Sequence, residues 1–200
     1  MKKPFIVLTG LSGSGKSQAI RALEDLGYFC VDNLPTTLIP TLGKLSLRAD
    51  GIEKVAIVVD VRERNFLSDF PKIFSRLRAM RGLNPVLIFL DASNAALVRR
   101  FSETRRPHPL APDRPISEGI RDERARMAAI RRLADEIVDT SDMTVHELRQ
   151  FFMGLARERG ATAPSPSSWS ATLRRASSWI GWRTTYATSC RITSPKGRAI

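Results

Sequence analysis

Eight residues near the start of the chain carry chemistry in both their types and their spacing. Gly10-Leu11-Ser12-Gly13-Ser14-Gly15-Lys16-Ser17 follows the pattern G-x-x-x-x-G-K-S. Glycine lets the backbone wrap tightly enough for successive N–H groups to face one phosphate group. A helix beginning at the end of such a loop adds the positive end of its dipole. At this spacing Lys16 reaches the β- and γ-phosphates of a nucleoside triphosphate, and the Ser17 hydroxyl takes a place on Mg²⁺. All eight residues are therefore candidate phosphate-binding residues, and Lys16 is also a candidate catalytic group.

A metal beside a triphosphate needs a further oxygen ligand, expected at the end of a strand facing the nucleotide. Asp60 follows the apolar run 55–59 and is the candidate Mg²⁺ ligand and second catalytic residue. Asp91 closes the apolar run 86–90 and is its competitor. Asp32 either orients a water or substrate hydroxyl or turns the chain together with Asn33. Arg99, Arg100, Arg105 and Arg106 flank a proline-rich segment, as an arginine lid that clamps phosphate or as a solvated helix end. His108 lies between Pro107 and Pro109 and reads as a surface residue, because nothing beside it in sequence orients it as a base. Arg121, Arg124, Arg126, Arg131 and Arg132 interleave with Glu118, Asp122, Glu123 and Asp135, the pattern of ordinary pairing on a helix surface.

Positioning these groups requires a sheet. Residues 5–8, 28–31, 55–59, 86–90 and 136–138 read as short buried strands. Between them, residues 18–26 place Ile20, Leu23 and Leu26 at helical spacing before Gly27. Residues 36–47, 66–80 and 116–134 also read as helices, as does a segment capped by Ser93 and running to 101. Residues 102–116, with Pro107, Pro109, Pro112 and Pro115, read as a loop or lid. Thr144-Val145-His146-Glu147 is a capping box that opens a last helix to about residue 157. Apolar strands separated by helices predict an α/β fold. The expected architecture is a three-layer P-loop domain over residues 1–158, with a mostly parallel sheet covered on both faces.

With these motifs in order, the chain resembles the RapZ/YvcJ group of bacterial P-loop nucleotide-binding proteins. The resemblance is carried by GLSGSGKSQAIRALEDLGYFCVDNLP (10–35), VVDVRE (58–63), FLDA (89–92), RRFSETRRPHPL (99–110) and VDTSDMTVHEL (138–148), and spans residues 4–157. It implies ATP binding at the loop and hydrolysis of ATP and GTP. It also implies a second nucleotide-associated motif of the form D-V-R-N, matched here by Asp60, Val61 and Arg62, with Glu63 in place of the asparagine. Some members of the group act as adaptors that present a small regulatory RNA to a ribonuclease. That role belongs to a C-terminal domain, which residues 161–200 do not resemble.

Composition sets the remaining expectations. At 42% hydrophobic, the chain has enough apolar residues for a core. Cys30 and Cys190 form no disulfide framework and fit a reducing compartment. No stretch approaches the roughly 18 apolar residues of a membrane span, so a soluble cytoplasmic protein is expected. The net charge of +12 is uneven: residues 161–200 hold six basic residues, no acid, 14 Ser or Thr and all three tryptophans. Residues 159–200 are expected to be a poorly ordered tail rather than a folded domain, because so short a segment with neither disulfide nor metal lacks a staple. A truncated chain or a shifted reading frame near residue 160 would explain the break.

The expected function is Mg²⁺-dependent binding and slow hydrolysis of ATP and GTP. The loop reads phosphates rather than the base, and no N-K-x-D segment selects guanine. Two alternatives are a small-molecule kinase, which would consume ATP far faster with an acceptor present, and an RNA-binding adaptor, which would hold RNA without Lys16.

Overall fold

The computed structural model describes residues 2–60 and 66–160. Five strands form one wholly parallel sheet: β1 (Lys3–Gly10), β2 (Phe29–Val31), β3 (Val55–Val58), β4 (Leu83–Asp91) and β5 (Glu136–Asp139), in the order β2-β3-β1-β4-β5. The central strand, β1, pairs with β3 on one side (Phe5 opposite Val55) and with β4 on the other (Phe5 opposite Pro85). Side chains alternate between the two faces, as the pleat requires. Phe5 and Val7 face one core with Val55, Ile57, Leu87 and Phe89. Ile6 and Leu8 face the other with Ala56, Val58, Ile88 and Leu90.

Helices cover both faces. The first core is closed by α2 (Ile39–Arg48), α3 (Phe66–Arg78), α4 (Asn94–Thr104) and α5 (Ile116–Leu133). The second is closed by α1 (Lys16–Glu24) and α6 (Val145–Gly160), which supply Ile20, Leu23, Leu148 and Phe152. These are the expected three layers. No described helix is long and apolar enough to cross a membrane.

Several boundaries differ from expectation for local reasons. The helix expected over 36–47 is a 3-10 turn, Thr36–Leu38, followed by α2, with Pro40 at a position where its missing N–H is harmless. β4 begins at Leu83 rather than at 86. Pro85 is tolerated because only β1 lies beside it there, β5 joining at Ile88. Ser93 caps α4 as expected, its hydroxyl accepting from Ala96 N at 3.2 Å. The box at Thr144 also forms: Thr144 N donates to Glu147 Oε2 at 2.8 Å, and Glu147 N donates to Thr144 Oγ1 at 3.2 Å. The Thr144 N–H and the Thr144 hydroxyl, which donates to Glu147 Oε2 at 2.9 Å, hold the Glu147 carboxyl below its usual range.

Candidate functional site

β1 ends by turning into the glycine loop. Gly10 has φ 144°, and a Cβ there would lie 2.2 Å from Leu90 O, so no other residue fits between β1 and β4. Gly15, at φ 103°, is the N-cap of α1, and no side chain caps the helix start. The first-turn N–H groups of such a start lack intrahelical acceptors and form the usual place for an anion.

The loop's carbonyls are fixed from several directions. Lys16 Nζ donates to Gly10 O at 2.8 Å and to Leu11 O at 3.0 Å, which folds the side chain back across the loop. Arg100, from α4, donates to Gly13 O at 3.1 Å. Thr140, just past β5, donates to Ser14 O at 3.0 Å. Arg100 also grips Thr140 at both Oγ1 and the carbonyl. Burial, and then the Arg99 charge, pulls the Arg100 guanidinium below its usual value. Arg100 is therefore a strut between the loop and the end of β5, whereas Arg99, Arg105 and Arg106 are exposed.

The expectation that every loop N–H faces one phosphate is narrowed. Leu11 N donates to Leu90 O at 3.1 Å, Ser14 N to Leu11 O at 3.1 Å, and Ser12 N to Glu123 Oε2 at 2.9 Å. The Ser14 hydroxyl is buried without a hydrogen-bond partner among the described residues. Ser17 is exposed at the start of α1.

The three candidate acids fare differently. Asp60 is half-buried immediately past β3, where Val59 N reaches Leu8 O at 3.0 Å and Thr9 Oγ1 donates to Val59 O at 2.9 Å. It therefore sits beside the end of β1. Asp91 is committed elsewhere: Arg124 Nη1 lies 2.8 Å from one oxygen and Arg131 Nε 2.9 Å from the other. Asp32 is exposed and accepts from Asn33 N at 2.8 Å, with Asn33 at φ 55°, which is the turn-forming alternative. Val61, Arg62 and Glu63, with the tail residues 161–200, lie outside the described residues.

Two readings of the arginine-rich region are corrected. His108 is not on the surface. It is fully buried, stacks obliquely on Phe101 with ring centroids 5.1 Å apart, and sits 3.2 Å from Glu123. In the segment around it Ala111 is buried and Leu110 packs on the core. Nor is α5 merely a surface of paired charges. Arg114 does pair with Glu118 and Asp122, but Arg124 and Arg131 reach off the helix to Asp91, and Glu123 is fully buried. The helical spacing of Glu123 with Ile120, Met127 and Ile130 was the signal that it faces inward.

A parallel sheet whose central strand runs through a glycine loop into a helix defines the P-loop class. Solved structures agree on the fold. A Deinococcus radiodurans tunicamycin resistance protein matches with a TM-score of 0.55 at 15% identity, over 78% of this chain and 96% of that one. A shikimate kinase from Acinetobacter baumannii, in complex with shikimate, matches with 0.53 at 17% identity, over 78% and 94%. Within that class, the model of the RapZ-like N-terminal domain matches residues 4–157, and the chain belongs to this family. A "Nucleotide-binding protein" of Myxococcus xanthus is 48% identical over 165 residues, 82% of this chain and 57% of its own length. One of Solibacter usitatus is 50% identical over 150 residues, 75% and 46%. The chain thus spans about half the length of the curated relatives it matches.

Proposed function

We propose that residues 1–158 form a nucleotide-binding domain that takes ATP and GTP at the loop 10–17 and hydrolyses them slowly with Mg²⁺. The observation that carries this reading is the loop itself. Its glycines occupy positions and torsions closed to other residues, Lys16 lies folded across it, and the helix behind it starts without a side-chain cap. These features fit a triphosphate, as does the buried Ser14 hydroxyl. The printed names of the relatives, which describe nucleotide-binding proteins, support the same reading.

In this reading Lys16 and the N–H groups at the start of α1 offset charge on the phosphates. Ser17 and Asp60 would hold Mg²⁺, which supplies charge neutralisation at the phosphate oxygens. Asp60 is favoured over Asp91 because two guanidinium groups already neutralise Asp91. Val61, Arg62 and Glu63 belong to the same candidate site through the family motif. Both bases are accommodated because the loop contacts are to phosphates.

Calorimetry with Mg²⁺ present tests this reading. Lys16→Ala is expected to abolish ATP binding, and unchanged affinity and turnover would refute the site. Asp60→Asn is expected to slow turnover more than it weakens binding. If Asp91→Asn alone slows turnover, the metal ligand has been placed on the wrong strand. A preference between ATP and GTP above roughly 1000-fold, or about 4 kcal/mol, would contradict dual use.

A further inference from the structure

Three segments far apart in sequence meet at Ser12. Glu123, on α5, takes the Ser12 N–H on Oε2 at 2.9 Å and the Ser12 hydroxyl on Oε1 at 2.8 Å. The oxygen that holds the Ser12 N–H also faces His108 Nε2 at 3.2 Å. His108 Nδ1 accepts from Leu110 N at 3.2 Å, so the ring proton sits on Nε2 and is donated to Glu123. The carboxylate therefore accepts all three bonds. Glu123 and His108 are fully buried and Ser12 nearly so.

A carboxylate in such a place is costly unless each bond is made, and an apolar side chain of similar size would serve the core at least as well. What the acid provides is particular to the loop. It fixes a backbone N–H and a side chain of one loop residue at once. The neighbouring carbonyls are fixed by Lys16, Arg100 and Thr140. Gly119 completes the arrangement: a Cβ there would lie 2.4 Å from His108 Nδ1, so α5 leaves a notch for the ring.

We propose that Glu123 is the positioning residue of the glycine loop, holding Ser12 in the curvature that grips phosphate and tying the loop through His108 to the segment that follows α4. Glu123 touches no phosphate in this scheme and acts through Ser12. The proposal rests on the nucleotide-binding reading above and deepens it.

The test compares Mg-ATP affinity of the 200-residue chain with that of Lys16→Ala, Glu123→Leu, Glu123→Gln and Ser12→Ala, alongside nitrogen-correlated NMR of the histidine rings. Glu123→Leu is expected to weaken binding about tenfold or more, as loss of hydrogen bonds to a charged group does. Glu123→Gln keeps an acceptor for Ser12 N and His108 and a donor for the Ser12 hydroxyl, so it is expected to recover most of that loss. The unliganded His108 ring is expected as the Nε2–H tautomer, and its nitrogens are expected to shift when Mg-ATP binds. An Nδ1–H ring overturns the proposal. So does a folded Glu123→Leu protein that binds within about twofold of wild type while Lys16→Ala does not bind. If Glu123→Leu does not fold, Ser12→Ala decides: unchanged affinity together with unmoved His108 signals overturns the proposal. Absence of Lys16-dependent binding in the wild type is a different result, which refutes the nucleotide reading itself.

Discussion

At the end of β4, helix α5 supplies cations to a carboxylate; at the glycine loop, the same helix supplies the carboxylate. The surroundings set the two apart. Around Asp91 the side chains of Arg124 and Arg131 are 36% and 39% exposed, and each takes a different oxygen of the acid. Asp91 itself is buried, but either arginine can be lost while the other still pairs with it. Around Glu123 no such reserve exists, because three bonds from two residues converge on one fully buried group. The first cluster fastens a helix to a strand end with redundancy. The second specifies the shape of one loop and leaves no slack in the packing around it.

The sharpest way to break that contrast is Gly119→Ala. Alanine in a helix interior ordinarily gains up to about 1 kcal/mol over glycine. Here the methyl group would strike His108, and a loss of about 1–3 kcal/mol is expected from overpacking. Urea unfolding measures it, and a stabilised variant would show that the notch at His108 is not tight. A smaller effect is expected from Asp91→Asn, about 1 kcal/mol, because the amide keeps one oxygen as an acceptor in the buried position and both arginines left behind reach solvent. That cost should shrink in 1 M salt, where the screening length falls to about 3 Å, while the cost of Gly119→Ala should not. Equal salt dependence of the two variants would erase the distinction between the clusters.

The smallest effect lies away from both clusters, at the start of α6. Removing the Glu147 side chain is expected to cost about 0.5 kcal/mol. Its carboxyl titrates below the ordinary 4.5 in the folded chain because Thr144 donates to it. The contribution is therefore present above that ordinary value and is lost as pH falls through the lowered one. Thermal midpoints of wild type and Glu147→Ala should converge in that acidic window, and a gap that persists below it would contradict the assignment.

These contrasts also mark what a linear reading can reach. The glycine loop, the strands and the two helix caps were legible because each is set by neighbours in sequence: a Gly-Lys-Ser spacing, an apolar run, a Ser or Thr three residues before the N–H it caps. His108 was misread because the residue that orients it, Glu123, is supplied by α5 rather than by its neighbours in the segment between the helices. Arg124 and Arg131 were misread for the same reason, since charge alternation along α5 says nothing about an acid at the end of β4. The start of β4 was hidden by Pro85, whose harmlessness depends on where β5 joins the sheet.

The separation of those partners bears on how the chain matures during translation. Ser12 waits for Glu123, 111 residues later, and Ser14 O waits for Thr140, 126 residues later. The central strand itself gains both neighbours only once residues 55–91 have been made. A nascent chain leaving the ribosome therefore displays its glycine loop first and completes it last. Contacts this distant are slow to form and leave apolar strands unpaired in the interval. The loop cannot act as a nucleus for folding: it becomes a finished grip only after nearly the whole described chain has emerged.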